Sequence, residues 1–117
     1  MVSVKDIDVL TELLAGPYHT KLVDVLRWLE SLYPGRMTIT SGYRKHDTGI
    51  HGTIPCRAID LRSRNYTNPR KIEEHINETY IYDPERPELR VAVIHDSGQG
   101  THLHLQTCAR TIRRVHV

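Results

Sequence analysis

At 117 residues the chain is long enough for one hydrophobic core, and we predict a single domain over residues 1–117. Hydrophobic residues at 38% and charged residues at 26% exclude a disordered chain. A formal net charge of +2 is too small to indicate nucleic acid as a partner, and the basic run from Arg110 to Arg114 is typical of a solvated end.

The sequence also bears on where the protein is made. The N-terminus lacks the basic start and continuous apolar run of a secretory signal, and no stretch is long enough to span a bilayer. We therefore expect cytoplasmic synthesis, no membrane partner and a monomer without an extended apolar patch. Cys56 and Cys108 are too few for a disulfide framework, so we expect free, mostly buried thiols.

Apolar residues at helical spacing predict two helices in the first third of the chain. The first spans Ser3 to Ala15 and is stopped by Gly16 and Pro17. Its expected buried residues are Ile7, Leu10 and Leu14. The second runs from about Thr20 to Tyr33, before Pro34 and Gly35, with an apolar stripe made of Leu22, Val25, Leu26, Leu29 and Leu32.

Alternating and β-branched residues then predict two strands. The first runs from Met37 to Arg44, through a turn at Ser41 and Gly42, and a loop from Lys45 to Arg57 follows. In the second, Ala58 to Arg62, the alternation directs Ile59 and Leu61 to the core and Asp60 to the opposite face.

The second half of the chain predicts one helix and two more strands. The helix begins at Asn68 and Pro69, and its expected buried residues are Ile72, Ile76 and Tyr80. The apolar run within Leu89 to His95 favours a central strand that is covered on both faces. A glycine-rich turn, Asp96 to Gly100, leads to a strand from Thr101 to Thr107.

In that last strand, alternation sends Leu103 and Leu105 to one face and His102, His104 and Gln106 to the other. The order of elements is helix, helix, strand, strand, helix, strand, strand. This order predicts an α+β fold in which a small antiparallel or mixed sheet packs against helices on one side.

Histidine and aspartate on these segments indicate a metal site. If the two strands that carry Asp60 and His104 are neighbours, both side chains can converge on one ion, and His51 can reach in from the loop. His46 on the same loop is a weaker rival to His51. Zinc fits this ligand set best, although manganese and iron accept the same ligand types.

Four motifs carry a resemblance to a known family: Ser41-Gly-Tyr-Arg44, His51-Gly, Arg57-Ala-Ile-Asp-Leu61 and His102-Leu-His104. Their order resembles that of the zinc D-Ala-D-Ala carboxypeptidases and related peptidoglycan peptidases, a family that includes phage endolysins and shares its fold with the hedgehog signalling domain. The resemblance covers roughly residues 38–107. It implies a hedgehog/DD-peptidase-like fold.

The resemblance also implies roles for individual residues. His51, Asp60 and His104 would bind Zn²⁺, with water in the fourth position. Arg44 would polarise the substrate carbonyl, and His102 would support the metal site or stabilise the transition state. The implied reaction is hydrolysis of an amide bond in a peptidoglycan peptide.

The proton-transfer residue departs from the family pattern. Many members place a catalytic Glu or Asp three residues before the last histidine ligand, where this chain has Thr101. Asp96 is the nearest acidic residue, and it reaches the metal only if the glycine-rich turn folds back. His102 is the other candidate, since a general base needs reach first and a suitable pKa second.

These observations lead to one main hypothesis and two alternatives. The main one is a zinc-dependent peptidoglycan peptidase, endolysin-like or cell-wall-remodelling, that acts on the wall once it is released. Because Thr101 replaces an acid, the first alternative is a non-catalytic metal-binding phage structural or binding module of the same fold. A plain α+β domain without metal would require the ordered motifs to be coincidental.

Overall fold

The computed structural model describes residues 2–96 and 100–114 and shows an α+β architecture, as predicted. The helices are α1 (Ile7–Leu14), α2 (Thr20–Leu32) and α3 (Pro69–Thr79). The strands are β1 (Ser3–Val4), β2 (Thr38–Ser41), β3 (Ala58–Arg62), β4 (Tyr80–Ile81), β5 (Ala92–Asp96), β6 (Thr101–Gln106) and β7 (Ile112–Arg113). None of the described helices is both long and apolar enough to cross a membrane.

Five strands form one mixed sheet in the order β1-β2-β3-β6-β5. β1 is parallel to β2, and the other pairs are antiparallel. The register of β3 and β6 places Ile59 opposite Leu105 and Asp60 opposite His104. Since side chains alternate along both strands, their apolar residues share one face and their polar residues share the other.

The apolar face of the sheet and the helices form one core. Its fully buried residues include Leu22, Val25 and Leu29 of α2, Ile76 of α3, Leu61 of β3, and Leu103 and Leu105 of β6. Each such aliphatic side chain contributes about 1.5–3 kcal/mol by leaving water. The predicted faces of α2, α3 and β6 are therefore confirmed for these residues, whereas Leu32 at the end of α2 is exposed.

The predicted first helix is wrong in its start and in its buried face. Ser3 and Val4 form a strand beside β2, so α1 begins only after Asp6, whose side chain accepts a hydrogen bond from Val9 N at 2.9 Å. Val9 is buried, while Ile7 and Leu14 are 71% and 78% exposed and Leu10 is also exposed. Val9 is in the core and Leu13 packs against it, and helical spacing alone does not specify that face.

The prediction of a central strand near residues 89–95 is also wrong, because β5 is the last strand in the described sheet. Its outer backbone edge is closed by α3 instead of by another strand. Ile94 N donates to Glu73 Oε2 at 2.7 Å, and Ala92 N donates to Asn77 Oδ1 at 2.9 Å. Helical cover accounts for the apolar run without requiring a second neighbouring strand.

The C-terminal basic segment is not a solvated end. β7 pairs with β4, with Tyr80 opposite Arg113, and Thr111 Oγ1 donates to Tyr82 O at 2.8 Å. The arginine side chains are exposed, but the backbone of the segment is part of the fold. Cys56 and Cys108 are free and buried, as predicted, and burial raises the pKa of the Cys56 thiol.

Candidate metal centre

The polar face of β3 and β6 brings the three predicted metal ligands together. Asp60 and His104 lie directly opposite each other, and His51 approaches from a short 3₁₀ turn, Ile50–Gly52, in the loop before β3. Asp60 and His51 are buried, and His104 is partly buried. Rigid strands therefore hold two of the ligands, and a loop supplies the third.

The ligand atoms of these residues all lie within 4.8 Å of one another. His104 Nδ1 is 2.8 Å from Asp60 Oδ1, and His51 Nε2 is 3.4 Å from Asp60 Oδ2. Each carboxylate oxygen thus faces one imidazole nitrogen. Among residues 2–96 and 100–114, this is the group of histidine, cysteine and acidic side chains with the spacing of a metal site.

The turn after β2 orients His51. His51 Nδ1 lies 3.0 Å from the carbonyl oxygen of Gly42. Two side chains hold this turn in place. Gly42 N donates to Glu12 Oε2 of α1 at 3.0 Å, and Tyr43 N donates to Tyr18 Oη, in the segment after α1, at 2.8 Å. A Cβ on Gly42 would lie 2.6 Å from Tyr18 Oη, so the turn requires glycine at that position.

This orientation tests whether the site suits a cation. A carbonyl oxygen only accepts hydrogen bonds, so His51 Nδ1–H donates to Gly42 and the other ring nitrogen, Nε2, faces Asp60 Oδ2. When Nε2 carries no hydrogen, two acceptors face each other across 3.4 Å. A cation bound there satisfies both atoms, and a histidine held through its other nitrogen is the usual arrangement in metal sites.

The charge of Asp60 also suits a cation. Burial opposes its ionisation, but its contacts with the His104 and His51 rings outweigh that effect and hold the pKa of the carboxyl well below its usual range. Asp60 is therefore an anion at neutral pH. Two imidazoles and one carboxylate form a ligand set that Zn²⁺ accepts.

The other predicted residues are placed differently. His102 shares the polar face, with Nδ1 3.2 Å from Thr40 Oγ1, but it is outside the three-ligand group. Arg44 forms an ion pair with Asp47, with Nε 3.4 Å from Oδ2, and its side chain is 44% exposed. Its backbone N donates to His51 O at 2.9 Å, so Arg44 belongs to the loop that presents this ligand.

His46 is exposed and outside the group, which favours His51 over its rival.

Asp96 pairs with Thr101 at the end of β5, two positions beyond the pair of Ile94 and Leu103, so both pairs point to the same face. The pleat therefore directs Asp96 and Thr101 to the face opposite the metal ligands. Residues 97–99 of the glycine-rich turn, on which the fold-back hypothesis depends, lie outside the described residues.

His95 lies on the same face of the sheet as Asp60 and His104. The sequence did not indicate it as a site residue, because it ends an apolar run. It pairs with His102, and its Nε2 is 3.9 Å from Asp60 Oδ1. Its ring centroid is 5.5 Å from that of His104. A hairpin across the glycine-rich turn, counted back from Thr101, would have placed His95 opposite His102, so the signal was in the sequence.

The arrangement can bind one divalent cation beside two further imidazoles. No protein-family model, curated protein or solved structure matches the chain. The peptidase resemblance of the motifs therefore stays a prediction, and the chemistry of the site is inferred from its own residues.

Proposed function

We propose that the chain is a zinc-dependent peptidase with a hedgehog/DD-peptidase-like fold that hydrolyses an amide bond in peptidoglycan stem or cross-link peptides. The observation that carries the proposal is the convergence of His51, Asp60 and His104 on one buried position. The motifs that contain these ligands occur in the order of the peptidase family. We infer that the protein acts on the cell wall after release and functions as a monomer.

Zinc bound by these residues would supply Lewis-acid chemistry at an amide carbonyl. Three protein ligands suit a catalytic site, because a structural zinc site is usually closed by four. Partial exposure of His104 and 41% exposure of the His95 side chain leave the polar face accessible to a peptide. The buried Asp60 carboxylate lies beside both histidines, with Oδ1 2.8 Å from His104 Nδ1 and Oδ2 3.4 Å from His51 Nε2.

The chain's own residues suggest which groups assist the reaction. His102 and His95 lie on the polar face of the sheet that carries His104 and Asp60, called here the metal face, and their ring centroids are 6.2 Å apart. Either imidazole can donate a hydrogen bond to a carbonyl oxygen or move a proton. Asp96 is a weaker candidate, because the pleat of β5 directs it to the other face. Arg44 would have to leave Asp47 before it could contact substrate.

A second candidate function is a non-catalytic metal-binding module of phage origin with the same fold. It is favoured by the direction of Thr101 and Asp96, which pair at the end of the β5–β6 hairpin and point away from the metal face. The hairpin therefore places no acidic side chain on the metal face. In this function, of a structural or binding module, zinc stabilises the fold and no bond is cleaved.

Two measurements on one preparation test the proposal. The purified protein should contain about one zinc per chain, and His104→Ala should lose it. Zinc-loaded protein should release new amine termini from purified peptidoglycan, and mass spectrometry of the products would identify the bond that is cut. Absence of bound zinc, even after zinc is added back, would contradict both candidate functions.

Variants then separate the two functions and compare His102 with Asp96 as proton-transfer candidates. His102→Ala should abolish cleavage while the zinc content stays near one per chain. Asp96→Ala should retain cleavage, because its side chain is directed to the other face. Zinc binding without any cleavage by the wild type would support the non-catalytic module.

A further inference from the structure

Gln106 is the residue behind His104 on the metal face. The two side chains project from the same side of β6, two positions apart, and His104 Nε2 lies 3.1 Å from Gln106 Oε1. His104 Nδ1, the other ring nitrogen, is the atom that faces Asp60. Gln106 therefore contacts the ligand from the side opposite the metal position.

The hydrogen-bonding pattern determines which way the Gln106 amide points. Its Nε2 donates to the carbonyl oxygen of Arg90 at 2.9 Å. A carbonyl only accepts, so the amide nitrogen must be directed to Arg90 and the amide oxygen to His104. Because Oε1 also only accepts, the hydrogen shared with His104 belongs to the imidazole Nε2.

This hydrogen bond has a consequence at the other end of the ring. A neutral imidazole carries one hydrogen, so a ring with Nε2–H presents a lone pair at Nδ1. Asp60 Oδ1, which also only accepts, is hydrogen-bonded to Nδ1 at 2.8 Å, so Nδ1 can bind a metal there only once its own hydrogen has left. The opposite tautomer would place a hydrogen on Nδ1 and block ligation.

We propose that Gln106, held by the Arg90 carbonyl, is a positioning residue that accepts from His104 Nε2–H and so favours the tautomer in which Nδ1 can bind the metal. This inference rests on the metal site of the proposed function. The Gly42 carbonyl has the equivalent role behind His51. The support for His51 comes from the backbone, whereas the support for His104 comes from a side chain and can be removed by substitution.

The test compares two substitutions of similar size. Gln106→Met removes the acceptor, and Gln106→Glu keeps an oxygen that can accept from His104. Zinc affinity is measured by competition with a chromophoric chelator. We expect a loss of about 10- to 100-fold in the Met variant, the range for lost outer-shell partners of metal ligands, and a smaller loss in the Glu variant.

Nitrogen-15 NMR of the histidine rings supplies a readout independent of affinity. In zinc-loaded wild type the His104 Nε2–H proton should be observed and should exchange slowly with solvent, because it is hydrogen-bonded to Gln106, and in the Met variant it should exchange faster. Thermal unfolding of the zinc-free proteins checks that both variants fold.

The outcomes separate the two proposals. If the wild type binds zinc and the Met variant binds it equally tightly with an unchanged Nε2–H exchange rate, the role of Gln106 is refuted and the peptidase proposal stands. If the wild type binds no zinc, both proposals fail, since Gln106 is proposed to act on a zinc ligand.

Discussion

Replacing each of two loop histidines tests whether zinc is bound where the structure indicates. His51 is buried with Nε2 directed at Asp60, whereas His46 lies on the same loop and is exposed. We predict that zinc raises the melting temperature of the wild type and of His46→Ala by the same amount. In His51→Ala most of this increase should disappear, because one of three ligands is lost.

The size of the effect follows from linkage. Zinc at about 1,000 times its Kd stabilises a protein that binds it only when folded by about 4 kcal/mol. For a chain of 117 residues, 1 kcal/mol corresponds to about 4 °C in melting temperature, so the expected shift is about 15 °C.

The assay is thermal unfolding followed by the fluorescence of Trp28, with zinc added or removed by a chelator. Trp28 is the single tryptophan, and it packs against His75 and Tyr80 in the helical layer, away from the metal face. Comparison of each variant with and without zinc removes any effect of the substitution on the fold itself. A zinc shift that is lost in His46→Ala and kept in His51→Ala would refute the assignment.

Two further predictions concern the scaffold. Leu105→Ala should lower the free energy of unfolding by about 2–5 kcal/mol, because Leu105 is fully buried in β6, whereas Ile112→Ala at an exposed position should cost much less; equal losses in urea unfolding would contradict the described core. Burial, with a smaller contribution from Glu30, raises the pKa of Tyr66 to about 12, so its contribution to stability is complete below pH 10 and is lost as the pH rises toward 12. Between these pH values the wild type should therefore lose about 2–3 kcal/mol more than Tyr66→Phe, and equal losses in the two proteins would show that this pKa is not raised.

The sequence predicted those parts of the fold that depend on local alternation and on strong helix signals. Leu103 and Leu105 alternate with His102 and His104 over a whole strand, so the two faces of β6 could be assigned before the sheet was known. Asn68 caps α3 as expected, since asparagine before proline is a helix-start signal.

The incorrect predictions depended on tertiary contacts. Ser3 forms a strand because Met37 and Thr38 lie beside it, and no nearby residue indicates that pairing. The edge position of β5 follows from Glu73 and Asn77 reaching its backbone from α3. Such contacts join segments that are distant in the chain, so local patterns do not contain them.

The three residues that could hold a metal were predicted more completely than the groups around them. His51, Asp60 and His104 could be named because alternation placed Asp60 and His104 on polar strand faces and the order of the motifs resembles that of a zinc peptidase family. The support from Gly42 and Gln106 could not be named, since hydrogen bonds to the far side of each ring depend on the register and on the turn. The direction of Asp96 likewise became apparent only once the β5–β6 pairing was known.

Cleavage of purified peptidoglycan by zinc-loaded protein tests the proposed function most directly. The wild type should generate new amine termini, the metal-free protein and His104→Ala should generate none, and activity should return when zinc is restored to the wild type alone. A wild-type protein that holds one zinc per chain and still releases no amine termini would contradict the proposed peptidase.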